Sequence, residues 1–135
     1  MKHDPRRYSM PDVVRGKRFE LRAGEQKVVV DHLSKGIYPA PPDQLRARFR
    51  FDKAYVLMGR HQLELTTPVA HKLGFALATN GGAALYLGGV VLFEVGGERY
   101  SLPGESAIQL GGVLLKKVDR ADDWQRDHPR RRVAT

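Results

Sequence analysis

The chain has no cysteine. Disulfides, thiol catalysis and thiolate metal sites are therefore excluded, and the residues carry no mark of a redox compartment. No apolar run approaches the roughly 18 residues that a helical membrane span requires. The opening stretch, MKHDPRRYSMPD, is charged and lacks the apolar centre of a secretory signal. The expected location is the cytoplasm, and a membrane is not an expected partner.

Catalytic and cofactor signatures are scarce as well. Glycine pairs occur at 81–82, 88–89, 96–97 and 111–112, but no Gly-Lys-Ser/Thr follows any of them, so none is a phosphate loop. Gly88-Gly89 leads into strand-like residues and not into a helix, which excludes the dinucleotide fingerprint. None of Ser9, Ser34, Ser101 and Ser106 lies in a Gly-x-Ser-x-Gly elbow. His3, His32, His61, His71 and His128 include no i, i+4 pair of the kind that holds zinc on a helix. The expectation is a non-enzymatic protein with no metal and no cofactor.

What the chain does have is positive charge, unevenly placed. Its net charge is +8. Residues 1–60 carry fourteen Lys/Arg against seven Asp/Glu, a balance of +7, and residues 61–120 carry five of each. The 41% hydrophobic and 28% charged content of 135 residues fits one globular domain. An excess of cations confined to one half suits a polyanionic partner.

A second positive feature is internal repetition. The segment from Gly59 to Leu77 realigns without a gap 37 residues later. Gly59, Leu65, Ala70, Leu73, Gly74 and Leu77 fall on Gly96, Leu102, Ala107, Leu110, Gly111 and Leu114, six identities in nineteen positions. The unit reads as a strand, a polar start and an amphipathic helix. Such a unit buries its apolar face only against a neighbour. Gly74 and Gly111 fall in mid-helix beside the apolar stripe, where glycine is unfavourable unless something approaches closely. The symmetric placement points to two helices meeting there.

Along the chain, Lys17 to Leu21 reads as a strand. Gln26 to Lys35 reads as a helix stopped by Gly36, with a hairpin strand as the alternative because Val28-Val29-Val30 is β-branched. Pro39, Pro41 and Pro42 make Ile37 to Asp43 an extended connector. Gln44 to Phe51 alternates without a break: Leu45, Ala47, Phe49 and Phe51 on one side, Arg46, Arg48 and Arg50 on the other. Asp52-Lys53 is the expected turn, followed by an apolar strand from Ala54 to Met58 and a further strand from His61 to Leu65. A helix opens at Thr66 or Thr67 with Pro68 in its first turn and is stopped by Asn80-Gly81-Gly82. Ala83 to Leu87, Val90 to Val95 and Arg99 to Leu102 are expected strands, and a last helix begins near Pro103 to Glu105.

The predicted fold is α+β: an antiparallel sheet of about six or seven strands with two or three helices on one face, built from repeated strand–helix units. Residues 1–127 form a single domain, followed by a basic flexible tail, 128–135. The expected core is Val28, Val29, Leu33, Phe49, Phe51, Leu65, Ala70, Leu73, Leu77, Phe93, Leu102, Ala107, Leu110, Leu114 and Val118.

The best functional candidate is the ladder of Arg46, Arg48 and Arg50. Same-face residues on a strand stand about 6.6–7 Å apart. That matches the spacing of successive phosphates along a nucleic-acid strand. Lys17, Arg18 and Arg22 are expected to extend the patch, Tyr8 and Tyr38 to offer stacking faces, and Arg130, Arg131 and Arg132 to add phosphate contacts from the tail. The expected function is nucleic-acid binding through a basic strand face. The alternative is an interaction module, an inhibitor or adaptor, docking on an acidic protein surface, with homodimerisation open. Removal of residues 128–135 is expected to leave the melting temperature unchanged, because the tail lacks apolar residues to hold it on the domain. A clear drop in a thermal melt would show that it is docked.

Overall fold

The computed structural model describes the backbone of residues 15–127 and the side chains of residues 15–116. The elements are β1 (Phe19–Ala23), β2 (Gln26–Leu33), β3 (Leu45–Arg50), β4 (Lys53–Met58), β5 (His61–Leu65), α1 (Thr67–Leu87), β6 (Val90–Val95), β7 (Glu98–Leu102) and α2 (Gly104–Asp127). The fold is α+β. The seven strands of the described residues form two antiparallel sheets, not one: a four-stranded sheet ordered β1-β2-β6-β7 and a three-stranded sheet ordered β3-β4-β5. No helix among the described residues is long and apolar enough to cross a membrane. The tail at 128–135 and the segment of Tyr8 lie outside the described residues.

β2 replaces the expected helix at Gln26 to Lys35. It pairs with β1 on one edge and with β6 on the other, Leu21 facing Val28 and Val30 facing Phe93. Val28, Val29 and Val30 are all buried. A strand covered on both faces reads as a continuous apolar run, and three β-branched residues fit the pleat better than a helical turn. The proline connector closes one edge of this sheet. Ser101 in β7 donates its backbone N–H to the carbonyl of Ala40 at 3.2 Å, and its hydroxyl donates to the carbonyl of Pro39.

α1 runs past the expected stop at Asn80-Gly81-Gly82 and includes Ala83 to Leu87, the expected strand. Burial explains both differences. α1 lies against β1, β2 and β6 on one side and against α2 on another. Asn80 is fully buried, and its side-chain amide behaves as a strand partner. Its oxygen accepts the N–H of Lys17 at 2.8 Å, and its nitrogen donates to the carbonyl of Lys17 at 2.8 Å. The amide that would cap a helix elsewhere is used here to hold the chain entering β1. The helix ends at Gly88, with φ +88°, whose N–H donates to Ala84.

The two helices touch backbone to backbone. A Cβ added to Gly111 would stand 2.6 Å from the carbonyl oxygen of Gly74, and one added to Gly81 would stand 2.8 Å from that of Gly104. Position 74 therefore meets 111 and position 81 meets 104, so the helices run in opposite directions. Leu73, Leu77, Ala107 and Leu114 are buried around this seam.

Of the expected core residues whose side chains are described, one is outside; the side chain of Val118 lies outside the described residues. Phe51 is 91% exposed and has φ +58°. β3 ends at Arg50 and β4 begins at Lys53, so the turn consists of Phe51 and Asp52, one residue earlier than the sequence suggested. Moving a turn by one residue transfers a side chain from one face to the other. Holding a bulky L-residue in the left-handed region costs about 1–2 kcal/mol. Phe49 is only partly buried against the core, and Leu33 is half-buried.

Gly111→Ala is expected to destabilise the protein by about 1–3 kcal/mol, since the new methyl group meets backbone and not a yielding side chain. Gly112, where no atom lies within 4 Å of an added Cβ, is the control. Gly112→Ala is expected to stabilise by about 1 kcal/mol through helix propensity. Chemical denaturation of the two variants measures both; equal shifts of the same sign would refute the close seam.

Candidate functional site

β3 is an edge strand of the three-stranded sheet. Its alternation sends Leu45, Ala47 and Phe49 toward the core and leaves Arg46, Arg48 and Arg50 exposed. Register fixes what stands beside each arginine. Arg46 is opposite Leu57, Arg48 opposite Tyr55, and Arg50 opposite Lys53. One strand further, Leu57 is opposite Gln62 and Tyr55 opposite Glu64. The outer face thus carries a cationic column on β3, a half-buried Tyr55 and Leu57 on β4, and polar side chains on β5. Arg48, Arg50, Tyr55, Leu57 and Gln62, with Phe49, line a depression of about 310 Å³ in this face.

The cations on this face are of two kinds. Lys53 is neutralised: its ammonium lies 2.6 Å from a Glu64 carboxylate oxygen. That carboxylate holds the ammonium above its ordinary pKa. Among the described residues, no carboxylate lies within ion-pair distance of Arg46, Arg48 or Arg50. Arg50 instead places its guanidinium carbon 5.8 Å from the centre of the Phe51 ring. Unpaired guanidinium groups keep all their donors for an incoming anion.

The other expected cations are placed elsewhere. Lys17 enters β1 and Arg18 and Arg22 flank or lie on it, in the four-stranded sheet. Lys17 has its ammonium 5.7 Å from the Phe19 ring centre. Arg18 is 2.9 Å from Glu20 and 4.0 Å from Asp31. Arg22 donates to the carbonyl of Glu25 at 3.1 Å. Tyr38 donates its hydroxyl to Ser34 at 3.2 Å in the connector. Arg130, Arg131, Arg132 and Tyr8 lie outside the described residues.

Sequence reasoning missed Tyr55 and Phe51. Tyr55 had a usable signal: within Ala54 to Met58 the period-2 pattern puts Tyr55 and Leu57 on the face opposite Ala54, Val56 and Met58. Reading that strand as uniformly apolar hid it. Phe51 had none, because its position depends on where a two-residue turn falls. Comparison with protein-family models, curated proteins and solved structures finds no match for this chain.

Outside this face, one titratable cluster joins the two sheets. His61, at the start of β5, contacts the carboxylate of Glu98, at the start of β7, through Nε2. The Tyr100 ring lies edge-on to His61 with centres 6.3 Å apart. The hydrogen bond from His61, helped by the charge of Arg60, holds the Glu98 carboxyl below its usual range. Loss of hydration and the neighbouring Glu98 push the Tyr100 hydroxyl up. Glu20 is likewise held low by Arg18 and Lys27. No group of three or more metal-ligating side chains converges among the described residues.

A carboxyl whose folded pKa is depressed stabilises the fold above its ordinary range and ceases to do so as pH falls through the depressed value. Acid is therefore expected to lower the melting temperature of the parent more steeply than that of Glu98→Gln. Some slope remains in the variant because Glu20 still titrates. Thermal melts from neutral pH to below the carboxylate range check this; identical profiles would show that the His61–Glu98 contact does not contribute.

Proposed function

We propose that this protein is a non-enzymatic nucleic-acid-binding accessory protein that holds phosphates on the outward arginines of β3. The observation that carries this reading is the set of three exposed guanidinium groups on one strand face with no carboxylate partner among the described residues. Four cations elsewhere, Arg18, Lys27, Lys53 and Arg99, each have an acidic neighbour. Lys17 and Arg22 also have no carboxylate within ion-pair distance among the described residues; what sets β3 apart is that three such cations stand in one column on one strand face. Successive arginines at about 6.6–7 Å match the phosphate repeat of an extended strand. The cationic excess of the first sixty residues acts in the same direction.

The duplication belongs to the same reading. We take residues 59–77 and 96–114 as two copies of one strand–helix unit. Supporting this, Gly59 and Gly96 have φ +58° and +56°, and Gly74 faces Gly111. In this view the paired units are scaffold, and β3, which lies outside both copies, carries the binding face.

Nucleic-acid affinity measured by fluorescence anisotropy is expected to fall linearly with salt on a log-log plot. Each of Arg46→Ala, Arg48→Ala and Arg50→Ala is expected to reduce the slope by about 0.7–0.9, with no sequence preference gained or lost. Melting temperatures are expected to stay where they are, since the side chains lie in solvent. A triple variant that binds as tightly as the parent overturns the proposal. A parent that binds no nucleic acid at low salt also overturns it, and leaves an acidic protein surface as the partner of the arginine face.

A further inference from the structure

Phe51 is placed where the fold gains nothing from it. The turn between β3 and β4 needs a residue at φ +58°, a conformation that glycine or asparagine adopts without strain. The phenylalanine held there is 91% exposed. The only ring or cation contact described for it is the guanidinium of Arg50 at 5.8 Å. The turn itself is tethered: the Thr67 hydroxyl at the start of α1 donates to the carbonyl of Asp52 at 3.1 Å. An aromatic ring is thus displayed beside the arginine column on a tethered turn. Strain of this kind concentrates where it serves a ligand.

Tyr55 supplies a second ring on the same face. It is half-buried in the wall of the 310 Å³ depression, directly across from Arg48, with Gln62 on the far side. Directly opposed residues of an antiparallel pair have Cβ atoms about 4.5–5.5 Å apart. A nucleotide that sets its phosphate on Arg48 therefore brings its base within reach of Tyr55. Gln62 can both donate to and accept from a base edge. The depression is at the small end of ligand pockets, which run from about 300 to 1,000 Å³, and so suits one base and not a stacked pair. Bases inside a duplex have both faces covered by their neighbours and offer nothing to these rings.

We infer that the ligand is single-stranded nucleic acid, with one base stacked on Tyr55 in the depression and another against Phe51 at the turn. This rests on the phosphate-binding role proposed for the arginines and adds to it the strandedness of the ligand.

The test compares fluorescein-labelled oligothymidylate, oligouridylate and a duplex of the same length, bound to the parent and to Phe51→Gly, Phe51→Trp and Tyr55→Val. Both single strands are expected to bind more tightly than the duplex, and the tighter of the two identifies the preferred sugar. Phe51→Gly is expected to melt no lower than the parent, because glycine relieves the turn. It should nevertheless weaken single-strand binding by about five-fold or more, the loss expected for one stacked base. Duplex binding should not change, and Phe51→Trp should retain single-strand affinity. Tyr55→Val is expected to weaken single-strand binding similarly. Equal affinity for single strand and duplex, with Phe51→Gly indistinguishable from the parent, overturns this inference and leaves the arginine reading standing. No binding of any probe overturns both.

Discussion

The contact between the backbones of α1 and α2 is the constraint on which the other packing relations depend. α1 lies against the four-stranded sheet and against a second helix, so its surface must be apolar over more than one face. Large side chains on every side would hold the layers apart. Gly74 against Gly111 and Gly81 against Gly104 remove side chains from the seam. α2 can then come close enough to α1 to reach β3 as well. The inward residues Leu45, Ala47 and Phe49 of β3 join the core, and the alternation of the strand leaves the arginines no face but the outer one.

The outer face of the three-stranded sheet separates its chemistry by strand. β3 presents free positive charge, β4 a half-buried ring and an aliphatic side chain, and β5 an amide and a carboxylate already matched to Lys53. Arginine at the edge of a sheet also discourages pairing with another sheet edge. That role needs charge alone. It requires neither the aromatic ring among the charges nor the depression, and it gives no reason for Phe51 to occupy a conformation suited to glycine.

The arginine ladder was fully legible in the sequence, because a period-2 pattern over Leu45 to Arg50 is a local property of a strand. The connector at Pro39 to Pro42 was legible from its prolines, and the meeting of Gly74 with Gly111 from the repeat; Gly81, read as part of a helix stop, was not recognised as a seam residue. What failed was decided by distant partners. Val28-Val29-Val30 becomes a strand because β6 arrives on its open edge. Asn80 stays helical because Lys17 offers it a peptide group. Whether seven strands join in one sheet or two depends on pairings between segments far apart, which no local pattern encodes. Phe51 was misplaced by a single residue of turn register, and Tyr55 was overlooked because its strand was read without alternation.

Among the described residues, β2 and β6 make the one strand pairing between segments that are not neighbours in the chain, with Leu33 joined to Val90. The other pairings described, β1–β2, β3–β4, β4–β5 and β6–β7, are local hairpins. Short loops close at little entropic cost, while this pairing must enclose the whole three-stranded sheet and α1. Loop-closure entropy therefore predicts that the hairpins form before the docking of β6 on β2. Until it occurs, the Val28-Val29-Val30 edge has no partner on one side. A β2 already synthesised thus waits for β6 with one edge open, the situation in which unpaired strand edges favour aggregation.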